Sequence, residues 1–178
     1  MEKVALNNTQ LDYLAYTHCK LGRIYGGALP CDLLPKTRPD EGAYAYIVNT
    51  DPDGKPGRHW MALWAEAEDC ELFDSFALPL QTYKDSDPLR YWIERHYNRC
   101  ERNARPVQSI TTQTCGYYAL FYLMMKANGH SMEDFLSLFK EDDFLFNDKL
   151  VASWLKRLIE HDKKWSSICN CFFRQCNQ

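Results

Sequence analysis

TQTCGYYALFYLMMKANG, residues 112–129, sets a cysteine and a glycine directly before a run that is almost wholly apolar. A helix that is apolar on every face is a buried one. Thr112 or Thr114 can cap its start, and Asn128-Gly129 can end it in the left-handed conformation that glycine tolerates. The expected core element is therefore a central helix entered at Cys115. The thiol admits two readings. It is either one more buried cysteine, the usual state of a thiol in apolar sequence, or a nucleophile at a helix mouth, where unpaired N–H groups and the positive dipole end favour the thiolate.

Outward from this helix, AYAYIV (43–48), WMALW (60–64) and CELFDSF (70–76) are short β-branched or aromatic runs separated by the turn clusters NTDPDGKPG and AEAED. They predict adjacent antiparallel strands. Thr9 to Gly22 predicts a first helix, with Thr9 capped against Asp12, Leu11, Leu14 and Ala15 on one face, and Gly22 closing it. The Gly- and Pro-rich stretch from Gly26 through Pro39 reads as loop. Asp87-Pro88 opens a helix whose Leu89, Trp92, Ile93, His96, Tyr97 and Cys100 share a stripe, which buries Cys100. Ser131 with Asp134 caps a short helix, and Leu150, Val151, Trp154, Leu155, Leu158 and Ile159 stripe a last one. The expected class is α+β: a small, mostly antiparallel central sheet packed against helices, around the buried helix that starts at Cys115.

A chain of 178 residues is one ordinary domain, so 1–178 is expected to hold a single site. Apolar residues at 46% and aromatics at 14% allow enough burial to offset ordering entropy. MEKVALNNTQLDYL has no secretory apolar core, and no segment has the ~18 consecutive apolar residues of a membrane span. The expectation is a protein made in the cytosol, not secreted and not in a membrane. The eight cysteines are then reduced thiols by default. Cys169, Cys171 and Cys176 cluster in CNCFFRQC but lack paired C-x2-C spacing and a clear fourth ligand, so no metal is expected. A net charge of −3 gives no overall pull toward nucleic acid. Residues 90–105 hold five arginines against two glutamates, a local basic patch or a solvated helix face.

His59 follows a Gly-rich turn and opens the strand HWMALW, while Asp74 ends the next strand in ELFDSF. Each alone reads equally as structural: a satisfied histidine, a turn acid. Adjacent strands can nevertheless bring an imidazole at one start beside a carboxylate at the neighbouring end. The carboxylate then fixes the tautomer while the other ring nitrogen takes the thiol proton. An attacked amide also needs donors aimed at its developing oxyanion. Gln108 and the Cys115 N–H can supply them; Gln113 is nearer in sequence, and either glutamine can be a solvated loop residue.

AYIVNTDPDGKPGRHWMALW, then ELFDSF, then VQSITTQTCG resemble the adenain family of adenovirus maturation proteases in order, spacing and wording, over about residues 40–125. The glutamine seven positions before the Cys-Gly pair equals the adenain interval; the wider clan, which includes the SUMO-specific proteases, places it about one residue closer. The resemblance implies a cysteine endopeptidase with Cys115 as nucleophile, His59 as general base, Asp74 as its orienter and Gln108 as oxyanion donor. At Asp74 adenain commonly has glutamate, whereas the SUMO-protease side has aspartate. The alternative it leaves is a protease that removes SUMO-like or ubiquitin-like modifiers.

Further expectations rest on the resemblance alone. The substrates would be viral capsid or core precursors, cleaved after Gly-Gly or Gly-x motifs during virion maturation, by a monomer in the host nucleus and the virion. No cofactor is needed for the chemistry, but adenain is stimulated by a short viral peptide that bonds an enzyme cysteine, and NRC ends in Cys100 at a comparable place. Adenain also uses DNA, which an acidic chain with one arginine-rich helix fits poorly. IYGGA (24–28) has the form of an adenain cleavage motif, so self-cleavage between Gly27 and Ala28 stands beside the reading of Gly-Gly as turn punctuation.

Overall fold

The computed structural model describes residues 5–38 and 42–161. Its class is α+β, with a five-stranded sheet in the order β1-β2-β3-β4-β5. The strands are β1 (Tyr25–Pro30), β2 (Ala43–Asn49), β3 (Trp60–Glu66), β4 (Asp69–Phe73) and β5 (Arg99–Arg102). β2, β3 and β4 pair antiparallel, as their apolar runs and intervening turns predict. The two outer strands make the sheet mixed, since β1 pairs parallel to β2 and β5 parallel to β4.

Side-chain alternation sends each strand's residues to two faces. Ala45, Ile47, Ala62, Trp64 and Phe73 pack on one side, against α1 (Asn8–Thr17), α3 (Cys115–Ala127), α4 (Met132–Ser137) and α5 (Phe144–His161). Tyr44, Tyr46, Val48, Met61, Leu63, Cys70 and Leu72 face the other way, onto Leu89, Trp92 and Ile93 of α2 (Asp87–His96). The helix entered at Cys115 is the buried centre, with Tyr118, Leu120, Tyr122 and Leu123 fully enclosed. It ends as expected at Gly129, whose φ of +91° lets the following amides bond back to the last turn. The capping box of Ser131 and Asp134 also forms.

Several local expectations are corrected. The first helix is capped by Asn7 with Gln10, not by Thr9 with Asp12, and it ends at Thr17. Asp12 instead accepts from the Tyr25 hydroxyl (3.0 Å) and the Ala28 amide (2.7 Å), tying α1 to β1. The segment read as loop from Gly26 contains β1. Gly26 lies against the Tyr46 ring, where a side chain has no room, and Gly27 has a φ of +125°. Both glycines therefore have structural reasons, and the Gly27–Ala28 bond lies within β1 where the register with β2 shifts between Tyr25 and Ala28.

Cys100 is not on the α2 stripe. The helix stops at His96, whose Nδ1 lies 2.7 Å from the Trp92 carbonyl, and Tyr97 is already extended. Cys100 falls on β5. Neither Thr112 nor Thr114 caps α3 through its side chain, because the Thr114 hydroxyl donates to Asp148 on α5. The clustered Cys169, Cys171 and Cys176 lie outside the described residues.

Candidate active site

His59 is the residue immediately before β3, and Asp74 the one immediately after β4. Because these strands are antiparallel neighbours, the start of one lies beside the end of the other. His59 Nε2 sits 2.7 Å from Asp74 Oδ1, with both side chains buried. Cys115, at the first turn of α3, lines the same cleft as His59, close enough for each to shift the other's pKa. The structure thus brings together three residues separated by up to 56 positions in sequence.

The imidazole is held from several directions. Its ring is stacked on Phe76 at 4.8 Å and on Tyr83 at 5.3 Å. Asp74 Oδ1 also accepts from the Phe76 amide (2.9 Å), and Oδ2 from the Leu78 amide (3.0 Å) and the Tyr83 hydroxyl (2.7 Å). Asn103, just beyond β5, clamps the Asp74 main chain, accepting from its amide (2.9 Å) and donating to its carbonyl (2.7 Å). Burial pushes the Asp74 carboxyl up, but the His59 contact and these donors hold it net below its ordinary value. It is therefore an anion fixed in place.

The other two groups shift toward an ion pair. Burial would lower the His59 pKa, yet its hydrogen bonds to Asp74 and Cys115, with their charges, push it up to about 9. Burial would raise Cys115, but the His59 contact and main-chain contacts at Trp60 and Gly116 bring it below the ordinary cysteine value. Both shifts favour the state with the proton on the imidazole and the charge on the sulfur.

Gln108 lies in the segment leading to α3, buried in the wall of the same cleft. Ser75 donates to its Oε1 (2.6 Å), and its Nε2 donates to the Thr112 carbonyl (3.0 Å). Because a carbonyl can only accept, the amide orientation is fixed; Nε2 also lies 3.4 Å from the Thr112 hydroxyl oxygen. Gln113 also lines the cleft. The cleft has a volume of about 780 Å³, with Cys115 and His59 in its floor. One wall is the β2–β3 connection, fixed by Arg58 bridging Asp51 (2.5 Å) and Asp85 (2.7 Å). The other carries Ile110, 88% exposed.

Sequence reasoning missed Asp148. This fully buried carboxylate at the start of α5 accepts from the hydroxyls of Thr112 (2.8 Å), Thr114 (3.1 Å) and Tyr118 (2.9 Å), and from the Ser109 amide (3.4 Å). It ties together the segment that carries Gln108 and Cys115. Neighbouring Asn147 adds a bond to the Val107 carbonyl (3.1 Å). Nothing in FNDKL separates such residues from the solvated polar residues of a helix surface.

Cys100 is half-buried on β5 and touches Cys70, away from the cleft. The arginine-rich stretch is largely engaged internally: Arg90 with Asp87 and Glu94, Arg102 with the Leu78 carbonyl, Arg105 with the carbonyls of Leu136 and Phe139. Among the described residues no helix is long and apolar enough to cross a membrane.

No protein-family model and no curated protein sequence matches the chain. Among solved structures it is similar to the ASFV pS273R protease, with a TM-score of 0.40 and 22% identity over 62% of this chain. The match spans 44% of that protease's chain.

Proposed function

We propose that the chain is a cysteine endopeptidase in which Cys115 is the nucleophile, His59 its proton partner, Asp74 the orienter of His59, and Gln108 with the Cys115 N–H the oxyanion donors. The observation that carries this reading is the buried Asp74–His59–Cys115 chain of contacts opening onto one cleft. In the first step the Cys115 sulfur attacks the substrate carbonyl carbon and negative charge moves to its oxygen, where the two donors stabilise it. The imidazolium then protonates the leaving amine, giving a thioester on Cys115. Neutral His59 next takes a proton from water, which attacks the thioester, and the freed thiolate recovers its protonated partner. Stacking on Phe76 and Tyr83 keeps the ring in place through both proton transfers.

The natural substrates in this reading are viral capsid or core precursors cut after Gly-Gly or Gly-x motifs during virion maturation in the nucleus and the virion. The motif order around His59, Asp74, Gln108 and Cys115 supports it. An activating viral peptide belongs to the same reading, with Cys100 as its bonding residue. DNA stimulation has less support, because Arg90, Arg102 and Arg105 are already engaged within the protein. The choice of aspartate at position 74 favours a second reading, a protease that removes Gly-Gly-ended modifiers.

The test is incubation with a Leu-x-Gly-Gly-x peptide and with structural precursors under reducing conditions, with and without candidate activator peptides. Cleavage that disappears in Cys115→Ala supports the endopeptidase. Labelling of Cys115 by a modifier vinyl sulfone, without precursor cleavage, would transfer the assignment to the second reading. No turnover and no labelling would dismiss both.

A further inference from the structure

Cys70 on β4 and Cys100 on β5 are direct partners in the parallel register of these strands. Register partners of adjacent strands point to the same face of the sheet, and both side chains lie on the α2 side. The two thiols are close enough to shift each other's pKa. Adjacent paired strands run about 4.8 Å apart, inside the Cα separation a disulfide tolerates. Access to the two is unequal. Cys70 is buried in the α2-side core, whereas Cys100 lines a separate cleft of about 490 Å³ with Leu72, Leu80, Arg90, Ile93 and Arg102.

We propose that Cys70 and Cys100 form a second thiol site, distinct from the Cys115 cleft, which exchanges with small-molecule disulfides and closes to an intrachain Cys70–Cys100 disulfide. Cys100 is the attacking member. It is the more accessible member, lining the cleft beside Arg102, whereas Cys70 is buried in the core. With glutathione disulfide as oxidant, the Cys100 thiolate attacks one sulfur, forming a mixed disulfide and releasing one glutathione thiolate. The Cys70 thiol then loses its proton and attacks the Cys100 sulfur, releasing the second. Two protein thiols are oxidised by two electrons, the reagent is reduced to two glutathione molecules, and the two protons leave on them.

Closure staples β4 to β5. β4 leads directly into Asp74, and β5 into Asn103, which clamps the Asp74 main chain. Cross-linking a loop of this length restricts the unfolded chain and raises its melting temperature.

The inference rests on strand register and not on any peptidase activity, so the readout is chemical. The native full-length chain is incubated with glutathione disulfide, quenched in acid, alkylated, and mapped without reduction. A cross-linked peptide pair joining Cys70 to Cys100, lighter by two hydrogens than its parts, is the expected product. The oxidised protein should also melt higher by roughly 5 °C or more, reversibly with dithiothreitol. Cys100→Ser, at a half-buried position, should abolish both changes without affecting the reduced fold. A stable glutathione adduct on Cys100 with Cys70 still free would overturn the proposal. So would the absence of reaction at both residues while exposed Cys19 is modified.

Discussion

His59 Nε2 and Asp74 Oδ1 lie 2.7 Å apart inside a shell that leaves neither side chain more than slightly exposed. Both Asp74 oxygens face only donors: the imidazole and the Phe76 amide on one, the Leu78 amide and the Tyr83 hydroxyl on the other. Asn at this position keeps the volume but points an NH2 group at donors whichever way it is turned. Asp74→Asn should therefore lower stability by about 1–3 kcal/mol, and it should reduce kcat/KM by roughly 10²-fold or more as the imidazolium loses its support. Peptide kinetics beside thermal unfolding measure the two effects separately. A variant with wild-type turnover would remove Asp74 from the mechanism.

The Cys115–His59 pair predicts an unusual pH dependence of thiol reactivity. An ordinary cysteine loses its thiolate below ~8.5, whereas Cys115, held low by His59, should still be alkylated by iodoacetamide near neutrality and below. Turnover should fall on the alkaline side as the imidazolium deprotonates at about 9. Stability follows in the same sense. A histidine raised above its unfolded value contributes fully below about 6.5, and that contribution fades as pH rises through about 9. Alkylation of Cys115 that sets in only around the ordinary cysteine value of ~8.5 would contradict the pair.

Much of the fold was legible because its central elements are strongly apolar. The runs of β2, β3 and β4 alternate between two cores, and α3 is enclosed on all sides, so their patterns carry the signal. β1 was hidden by glycines, whose need for Gly is set by Tyr46 on a strand that is distant in sequence. β5 was hidden because RCER is short and half-exposed, and because apolar spacing continues from α2 through Tyr97 to Cys100 after the helix has ended. For the candidate site, the order of His59, Asp74 and Cys115 was readable, since antiparallel strands bring a start beside an end. Asn103 and Asp148 were not. Their partners are main-chain and hydroxyl groups 29 to 39 residues away, and no local pattern marks a polar residue for burial.

The paired glycines of IYGGA give a separate test of structure against substrate. A Cβ on Gly26 would overlap the Tyr46 ring, which is itself packed edge-on to Tyr44 and Trp92. Gly26→Ala should therefore destabilise the protein by roughly 1–3 kcal/mol, seen as a melting temperature lower by several degrees. In the wild type, the Gly27–Ala28 bond should survive long incubation, because β1 is hydrogen-bonded to β2 and its Ala28 amide to Asp12. Intact-mass measurement of active and Cys115→Ala protein decides this. A shorter species in the active sample alone would show that the strand opens and is cut.

Asp148 offers a mutation that acts on the reaction without touching it. Its carboxylate collects three hydroxyls and an amide from residues 109 to 118, and through them sets how the segment bearing Gln108 enters α3. Asp148→Asn swaps an acceptor for a donor in a fully buried site, so at least one of these groups loses its partner, at about 1–3 kcal/mol. Tyr118→Phe instead removes a single donor and leaves Asp148 three others, and should cost about 1 kcal/mol or less. If the carboxylate positions the oxyanion donors, Asp148→Asn lowers kcat with little change in KM, whereas Tyr118→Phe remains near wild type in both. The thiolate–imidazolium pair is held by different contacts, so Cys115 alkylation in Asp148→Asn should keep its low-pH reactivity. Loss of that reactivity together with kcat would mean that Asp148 supports the whole α3 entrance and not the Gln108 side of it.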